Sequence, residues 1–293
     1  MGTTANAVAK IIVASRDNGV IDLTSRRAVM ESIREAHLDK DRVSELIAKG
    51  HDPAHAVLIF TQNLVSLLSE ALSELKPLRQ FCRIVAKAED EYMPSYPPVS
   101  PVTTSFFTMW ALFDLQFGQS HETIGTCIQT ISKDMPFPGW IEDAIGVMQA
   151  SRMGFYVHCG FEERYVRLRE IGTGAITRCF SSSGYQGQEG QIWFVRLVAP
   201  SNALVNYHVV KTTPYVLVGT TENMIEAYLA REITRLGNKP IPHDMDAHSF
   251  IMKHGPSPTH WNEYVFCAYS NFQEDAVFLS GVPDMKESLP CAS

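Results

Sequence analysis

The stretch GFYVHCGFEERYVRLREIGTGAITRCF, residues 154 to 180, decides the fold. Its side chains alternate with a period of two, as strands require, in a chain whose other segments repeat apolar residues every three or four. In YVRLREI, Val166 and Leu168 point one way while Tyr165, Arg167 and Arg169 point the other, which gives one core face and one aromatic, basic face. Gly160, Gly172 and Gly174 punctuate the run as hairpin turns do. Five strands are expected, at 155–159, 165–171, 175–180, 191–198 and 207–211, the last leading through Pro214 into 215–218. A meander of this size predicts a small antiparallel barrel, SH3-like or OB-like in size, over 154–219.

In QIWFVRLV, residues 191–198, Trp193, Val195 and Leu197 form an apolar set and Ile192, Phe194, Arg196 and Val198 a mixed one, so Arg196 is expected to join the outer stripe. Tyr165, Arg167, Arg169, Trp193 and Arg196 are therefore the candidate ligand-binding residues. Guanidinium forks hold oxyanions in pairs and aromatic rings stack on ligands. The competing reading pairs these arginines with Glu162, Glu163 and Glu170 as an ordinary solvated or interdomain face.

Around the module the period is helical. Residues 10–22 read as a strand and turn, and Val29, Ile33 and Ala36 share a helix face. The words IIVASRDNGVI are similar to the opening of dihydrofolate reductases, but the helices that follow lack the strand and helix alternation of such an enzyme. A helix over 41–49 stops at Gly50, and Asp52 followed by Pro53 caps the next, whose Val57, Phe60, Leu64, Leu68 and Leu75 mark it as central. Pro77 ends it, a further helix runs to Glu89, and MPSYPPVSP, residues 93–101, reads as a connector. The aromatic helix SFFTMWALFDLQFG follows, closed by Gly118 and carrying Asp114 amid rings, then helices over 122–132 and 140–150. After the module, Thr221 caps a helix to Leu236, short helices span 246–253 and 259–270, and AVFLSG reads as a last strand. The expected class is α+β: an N-terminal helical region (1–93), a Pro-rich connector with aromatic helices (94–153), the β-module (154–219) and a C-terminal helical region (220–293).

With 293 residues, 45% hydrophobic and 19% charged, the chain has the composition of an ordinary globular protein. Net charge is −7, and only the β-module is basic, with six basic against four acidic residues. That balance argues against nucleic acid as a partner. The six cysteines show no CxxC and no regular spacing, as expected of free thiols in a reducing cytosol. The most apolar helix is interrupted by Gln62, Asn63, Ser66, Ser69 and Glu70, short of the roughly 20 apolar residues of a membrane span, so a cytoplasmic protein with no membrane partner is expected.

The densest set of ligand-type residues is His243, Asp244, Asp246 and His248 in PHDMDAHSF. Imidazoles and carboxylates hold divalent metals, which would activate water for hydrolysis; the alternative is that Asp244 or Asp246 simply caps the next helix. No cofactor is expected beyond a divalent metal at that cluster. His158 cannot activate Cys159, because adjacent strand residues face opposite ways, whereas Cys179 with His208 stays open.

The strings SRMGFYVHCGFEERYVRLREIGTG, GYQGQEGQIWFVRL, YHVVKTTPYVL and HWNEYVFCAY resemble a family of bacterial hypothetical proteins, over most of the chain from Tyr92 onward. The resemblance implies a bacterial origin and carries no activity, ligand or catalytic residue. The preferred reading is a non-enzymatic binding or regulatory protein whose partner, a protein or an anionic ligand, meets the basic face of the β-module. The alternatives are a metal-dependent hydrolase at residues 243–248 and a structural subunit of a larger assembly.

Overall fold

A computed structural model describes residues 4–10, 40–73, 75–94, 100–132, 137–201, 205–237, 240–273, 275–285 and 288–292. Of the strand and turn expected over 10–22, Lys10 belongs instead to a helix over 4–10, and the remainder lies outside those residues, as does the helix carrying Val29, Ile33 and Ala36. The chain divides into two compact units, one of residues 1–87, 108–150 and 201–205, the other of 88–107, 151–200 and 206–293.

The first unit is helical. Its central helix, Pro53–Leu72, starts at Asp52, whose carboxylate accepts the Ala54 and His55 amide N–H groups at 3.0 and 3.2 Å, with proline in the first turn where no N–H is needed. Leu58, Leu64, Val65 and Leu68 are buried along it, and it packs on the helices Ile124–Ser132 and Gly139–Ala150. Among the described residues it alone is long and apolar enough to cross a membrane, and half of its most apolar window is buried inside the fold. The aromatic helix does not run through to Gly118: Thr104–Met109 is α-helical and Trp110–Asp114 widens into a π turn, which buries Asp114. Gly125 lets that turn approach, since a Cβ there would lie 2.7 Å from the Phe113 ring. Glu122 accepts the Thr4 and Ala5 amides at 2.7 and 2.9 Å and so holds the start of a helix over 4–10.

The second unit is built on the expected barrel. Its strands are β1 (Arg152–Glu162), β2 (Tyr165–Glu170), β3 (Ile176–Ser181), β4 (Ile192–Val198), β5 (His208–Val210) and β6 (Tyr215–Val218). β7 (Tyr269–Gln273) and β8 (Ala276–Ser280) follow near the C-terminus. The long β1 pairs with β4 through Arg152 to Val157 and with β2 through Tyr156 to Glu162, so one strand serves two sides. β2 pairs with β3, β3 runs parallel to β5, and β5 pairs with β4, which closes five strands in the order 1-2-3-5-4. A closed five-stranded Greek-key barrel of this kind is OB-like rather than SH3-like in connectivity. Beyond β5 the chain bends at Pro214 into β6, which pairs with the first half of β4 and carries β8 and then β7 as a sheet extension.

The barrel interior holds Val166, Leu168, Cys179, Trp193, Val195 and Leu197, of which Val166 and Leu168 are the inward pair that the alternation in β2 predicts. The opposite face of β1 and β4 is buried too. Phe155 and Phe194 stack at 4.8 Å and meet rings of the helices Glu222–Leu236 and His260–Ala268: Phe155 lies 6.3 Å from Tyr228, and Phe194 lies 5.0 Å from Trp261. Every residue of β4 is consequently buried. The helix expected to run to 270 ends at Ala268, where the chain turns extended at Tyr269 and enters β7.

Candidate functional site

The structure divides the five residues expected on one basic face. Trp193 is fully buried inside the barrel and donates its indole N–H to Gln191 Oε1 at 3.2 Å. Arg196 is also buried, on the helix-facing side of β4, where its guanidinium donates to the backbone and hydroxyl oxygens of Ser151, both at 3.1 Å. Neither residue belongs to an outer stripe: barrel closure covers one face of β4 and the helices cover the other. Directly across from Arg196 lies Lys211, whose amine burial lowers to about 8.

Tyr165, Arg167 and Arg169 lie on the side of β2 opposite the buried Val166 and Leu168, and of the three only Arg167 is exposed. Arg169 forms a two-pronged ion pair with Glu222, at 2.7 and 2.8 Å, which ties β2 to the start of the following helix. Tyr165 is buried beneath neighbours, with the Tyr207 ring at 4.8 Å and the Arg178 guanidinium 4.1 Å above its own ring. Arg167 stays exposed and stands opposite Arg178 in the β2–β3 register, while Arg178 reaches Glu162 at 3.0 Å.

The His243 cluster is spread along a turn and a helix start. His243 and Asp244 are exposed, and Asp246 is the N-cap of the helix Ala247–His254, accepting the Ser249 amide at 2.8 Å and its hydroxyl at 2.9 Å. The bond from the Ser249 amide holds the Asp246 carboxyl below its usual range. His248 turns away from solvent, with both ring nitrogens buried and unbonded, and packs against Gly172, where a Cβ would come 3.0 Å from Nε2. Among the described residues no three His, Cys, Asp or Glu side chains converge on a metal position. Beside His248, Glu170 binds Arg152 at 2.5 and 3.2 Å; burial alone would raise the Glu170 pKa, and the Arg152 guanidinium brings it below the ordinary value.

The cysteine and histidine pairs resolve as well. His158 is fully bonded, its Nδ1 accepting the Gly160 amide at 3.1 Å and its Nε2 lying 3.0 Å from the Gln186 carbonyl, which fixes a neutral ring protonated at Nε2. Cys179 and His208 are register partners across the β3–β5 seam. Burial nevertheless raises the Cys179 pKa and lowers that of His208, so the pair holds a thiol and a neutral ring rather than an activated thiolate.

Sequence reasoning missed a cavity of about 650 Å³ in the C-terminal helical part of this unit. The helix His260–Ala268 presents His260, Glu263, Tyr264 and Cys267 to it, a face of three- and four-residue spacing. Glu232, Arg235 and Leu236 come from the end of the helix Glu222–Leu236, Ile251 and Pro256 from the segment after it, and Asp284, Leu289 and Cys291 from the returning C-terminal segment. The spacing of 260, 263, 264 and 267 was visible in the sequence. Its meaning was not, because the opposite wall is supplied by Pro283, Asp284, Leu289 and Cys291, which are distant in sequence from that helix face.

One wall is a charged quartet. Arg231 grips Asp284 with two bonds, at 2.6 and 2.8 Å, which holds the Asp284 carboxyl below its ordinary range. Arg235 donates to Glu232 through the same Nη1 that lies 3.4 Å from Asp284. The carboxylates are the deep members and the guanidiniums the outer ones: the Asp284 and Glu232 side chains are 6% and 4% exposed, those of Arg231 and Arg235 40% and 57%. At another edge His260 Nε2 meets the Tyr228 hydroxyl at 3.0 Å, and burial pushes the His260 pKa down to about 4, so the ring is neutral near pH 7.

Comparisons with family models, with curated proteins and with solved structures return no match to this chain.

Proposed function

We propose that the protein is a non-catalytic binding protein that takes a small organic molecule into the cavity beside His260, Tyr264 and Asp284. The observation that carries this reading is the cavity itself. Its volume falls in the range that encloses drug-sized ligands, and its wall is largely apolar with a few placed polar groups, as ligand sites are. The binding role is supported over catalysis because three ionisable groups of the wall are held in pairs: Asp284 by Arg231, Glu232 by Arg235 and His260 by Tyr228. A cytosolic placement is part of the proposal, supported by six free cysteines, and so is the bacterial origin that the sequence resemblance implies.

The test uses a neutral reporter. Nile red should bind the purified protein with one-to-one stoichiometry, and Cys267→Phe, which fills the recess from a helix face, should abolish the signal while the circular dichroism spectrum is unchanged. Equal dye binding by wild type and variant would refute the cavity as the site.

A second reading is favoured by one observation, the opposition of Arg167 and Arg178 across β2 and β3. Like charges placed directly opposite one another are unfavourable, and an anion bridging them would relieve the repulsion. On this reading an anionic partner lies on the outer face of the barrel, and Arg167→Ala should remove any pyrophosphate-induced thermal stabilisation. The hydrolase reading gains no support from the dispersed His243 cluster. The assembly reading rests on exposed apolar side chains such as Ile176 and Phe272, which stand on strands that do not pair with each other.

A further inference from the structure

Resting on the cavity reading, we infer that Cys267 and Cys291 form a redox-sensitive pair that closes the cavity when oxidised to a disulfide and opens it when reduced. Both thiols line the recess, and no other cysteine of the chain does. They come from different walls. Cys267 stands on the last turn of the helix His260–Ala268, on the face that carries His260, Glu263 and Tyr264, and Cys291 is the middle residue of a 3-10 turn, Pro290–Ala292. The turn packs on that helix, with Cα atoms of the two elements within 8 Å of one another. A disulfide needs a Cα separation of roughly 4.5 to 7 Å, so an inward step of the exposed turn is all that the bond requires.

The segment that leads to Cys291 is anchored, which fixes where the thiol emerges. The Tyr264 hydroxyl donates to the Gly281 carbonyl at 3.2 Å, Arg231 grips Asp284, and the Ser288 hydroxyl accepts the Val282 amide at 3.1 Å and donates to the Met285 carbonyl at 2.6 Å. Gly281, at a φ of +90°, permits this tight return, since a Cβ there would collide with the Ser288 carbonyl. Leu289 is buried and Cys291 exposed, so the thiol sits at the rim while half-buried Cys267 sits within. The rim thiol is the point of entry. Its thiolate attacks a small disulfide such as glutathione disulfide, forming a mixed disulfide and releasing one glutathione. Cys267 then gives up its proton and attacks the Cys291 sulfur, which releases the second glutathione. Two protein thiols are oxidised, one glutathione disulfide is reduced, and the two protons end on the departing glutathione thiols. The new bond runs from rim to wall across the recess and bars a ligand.

Trypsin cuts after Lys253 and Lys286, so Cys267 and Cys291 fall in different peptides, neither of which holds another cysteine. The folded, full-length protein incubated with glutathione disulfide should yield peptide 254–286 linked to peptide 287–293 from a species that stays monomeric on a non-reducing gel. Nile red binding should be lost in the same sample and return on adding dithiothreitol. Cys291→Ser, which removes the entry thiol at an exposed position, should form no link and leave dye binding indifferent to the oxidant. Glutathione left on either sulfur with no link, a disulfide between two chains, or a linked protein that still binds the dye overturns the switch. If Nile red binds the reduced protein and no link forms, the switch alone fails; if Nile red does not bind even the reduced protein, the cavity reading falls and the switch with it.

Discussion

His260 shows what burial does to one side chain. Its folded pKa of about 4 lies below the ordinary 6.5, so between those values the unfolded chain binds more protons than the folded one. Stability should therefore fall as pH is lowered from about 6.5 toward 4, by on the order of 3 kcal/mol for this residue once the fall is complete. Burial shifts His158, His208 and His248 in the same direction, so His260→Gln should flatten only part of the slope measured by urea unfolding at pH 7 and pH 4.5. An unchanged slope would contradict the buried, neutral ring. Asp246 makes the complementary case for a surface residue. As an N-cap its replacement by alanine should cost about 1 kcal/mol, equally with and without a chelator, and a cost that disappears when a chelator is added would restore the metal reading. At this scale the sequence was a fair guide where a local rule operates, as with the caps at Asp52, Thr221 and Asp246. It misled for Trp193 and Arg196, because alternation says which residues share a face and not what lies against that face.

Among the elements, β4 is the organising one, bordered by β1 on one side and by β5 and β6 in succession on the other. The two arginines expected to act alike should behave differently for this reason. Arg169 and Glu222 are each about a third exposed, and screening by solvent limits such a pair to about 1 kcal/mol or less, so Arg169→Ala should be nearly silent in thermal unfolding. Arg196→Ala should cost about 3 kcal/mol, because it removes two buried hydrogen bonds from a charged donor, although the Ser151 carbonyl keeps its bond from Lys253 Nζ at 2.8 Å. Comparable losses in the two variants would argue against the sidedness of β4 described above. The strands themselves were legible from the period of two, and β6 falls on its expected residues, but β1 runs three residues beyond 155–159 at each end, because Gly160 lies within the strand at an irregularity of its pairing with β2 and not in a turn. The π turn at Trp110–Asp114 and the conversion of Tyr269 and Ser270 to strand were not, since a widened turn and a β8 partner are tertiary effects without a local signal.

For the molecule as a whole, the thiols give a compact check on the described burial. Cys291 is exposed, Cys82, Cys159 and Cys267 are partly covered, and Cys127 and Cys179 are enclosed, with burial pushing the Cys127 pKa up to about 12. Native labelling with an alkylating reagent should mark Cys291 first and leave Cys127 and Cys179 for denaturant, as read by peptide mass spectrometry. Uniform labelling of all six would be inconsistent with this fold. The α+β class and the central barrel were legible because each depends on periodicity alone. The division into two units was not, since residues 88–107 join the strand-bearing unit and 201–205 the helical one through contacts far apart in sequence. The cavity escaped for the same reason.

The barrel is a ribbon wrapped on itself and clasped at one place, the ladder of three residue pairs from Cys179 with His208 to Ser181 with Val210. Every other seam of the ring joins strands that run in opposite directions, and only this one joins parallel strands distant in sequence. Undoing the clasp would lay Cys179 bare to solvent while the helices stay wound. Slow alkylation of Cys179 ahead of Cys127 would thus time the unfastening of the ribbon in the otherwise folded protein.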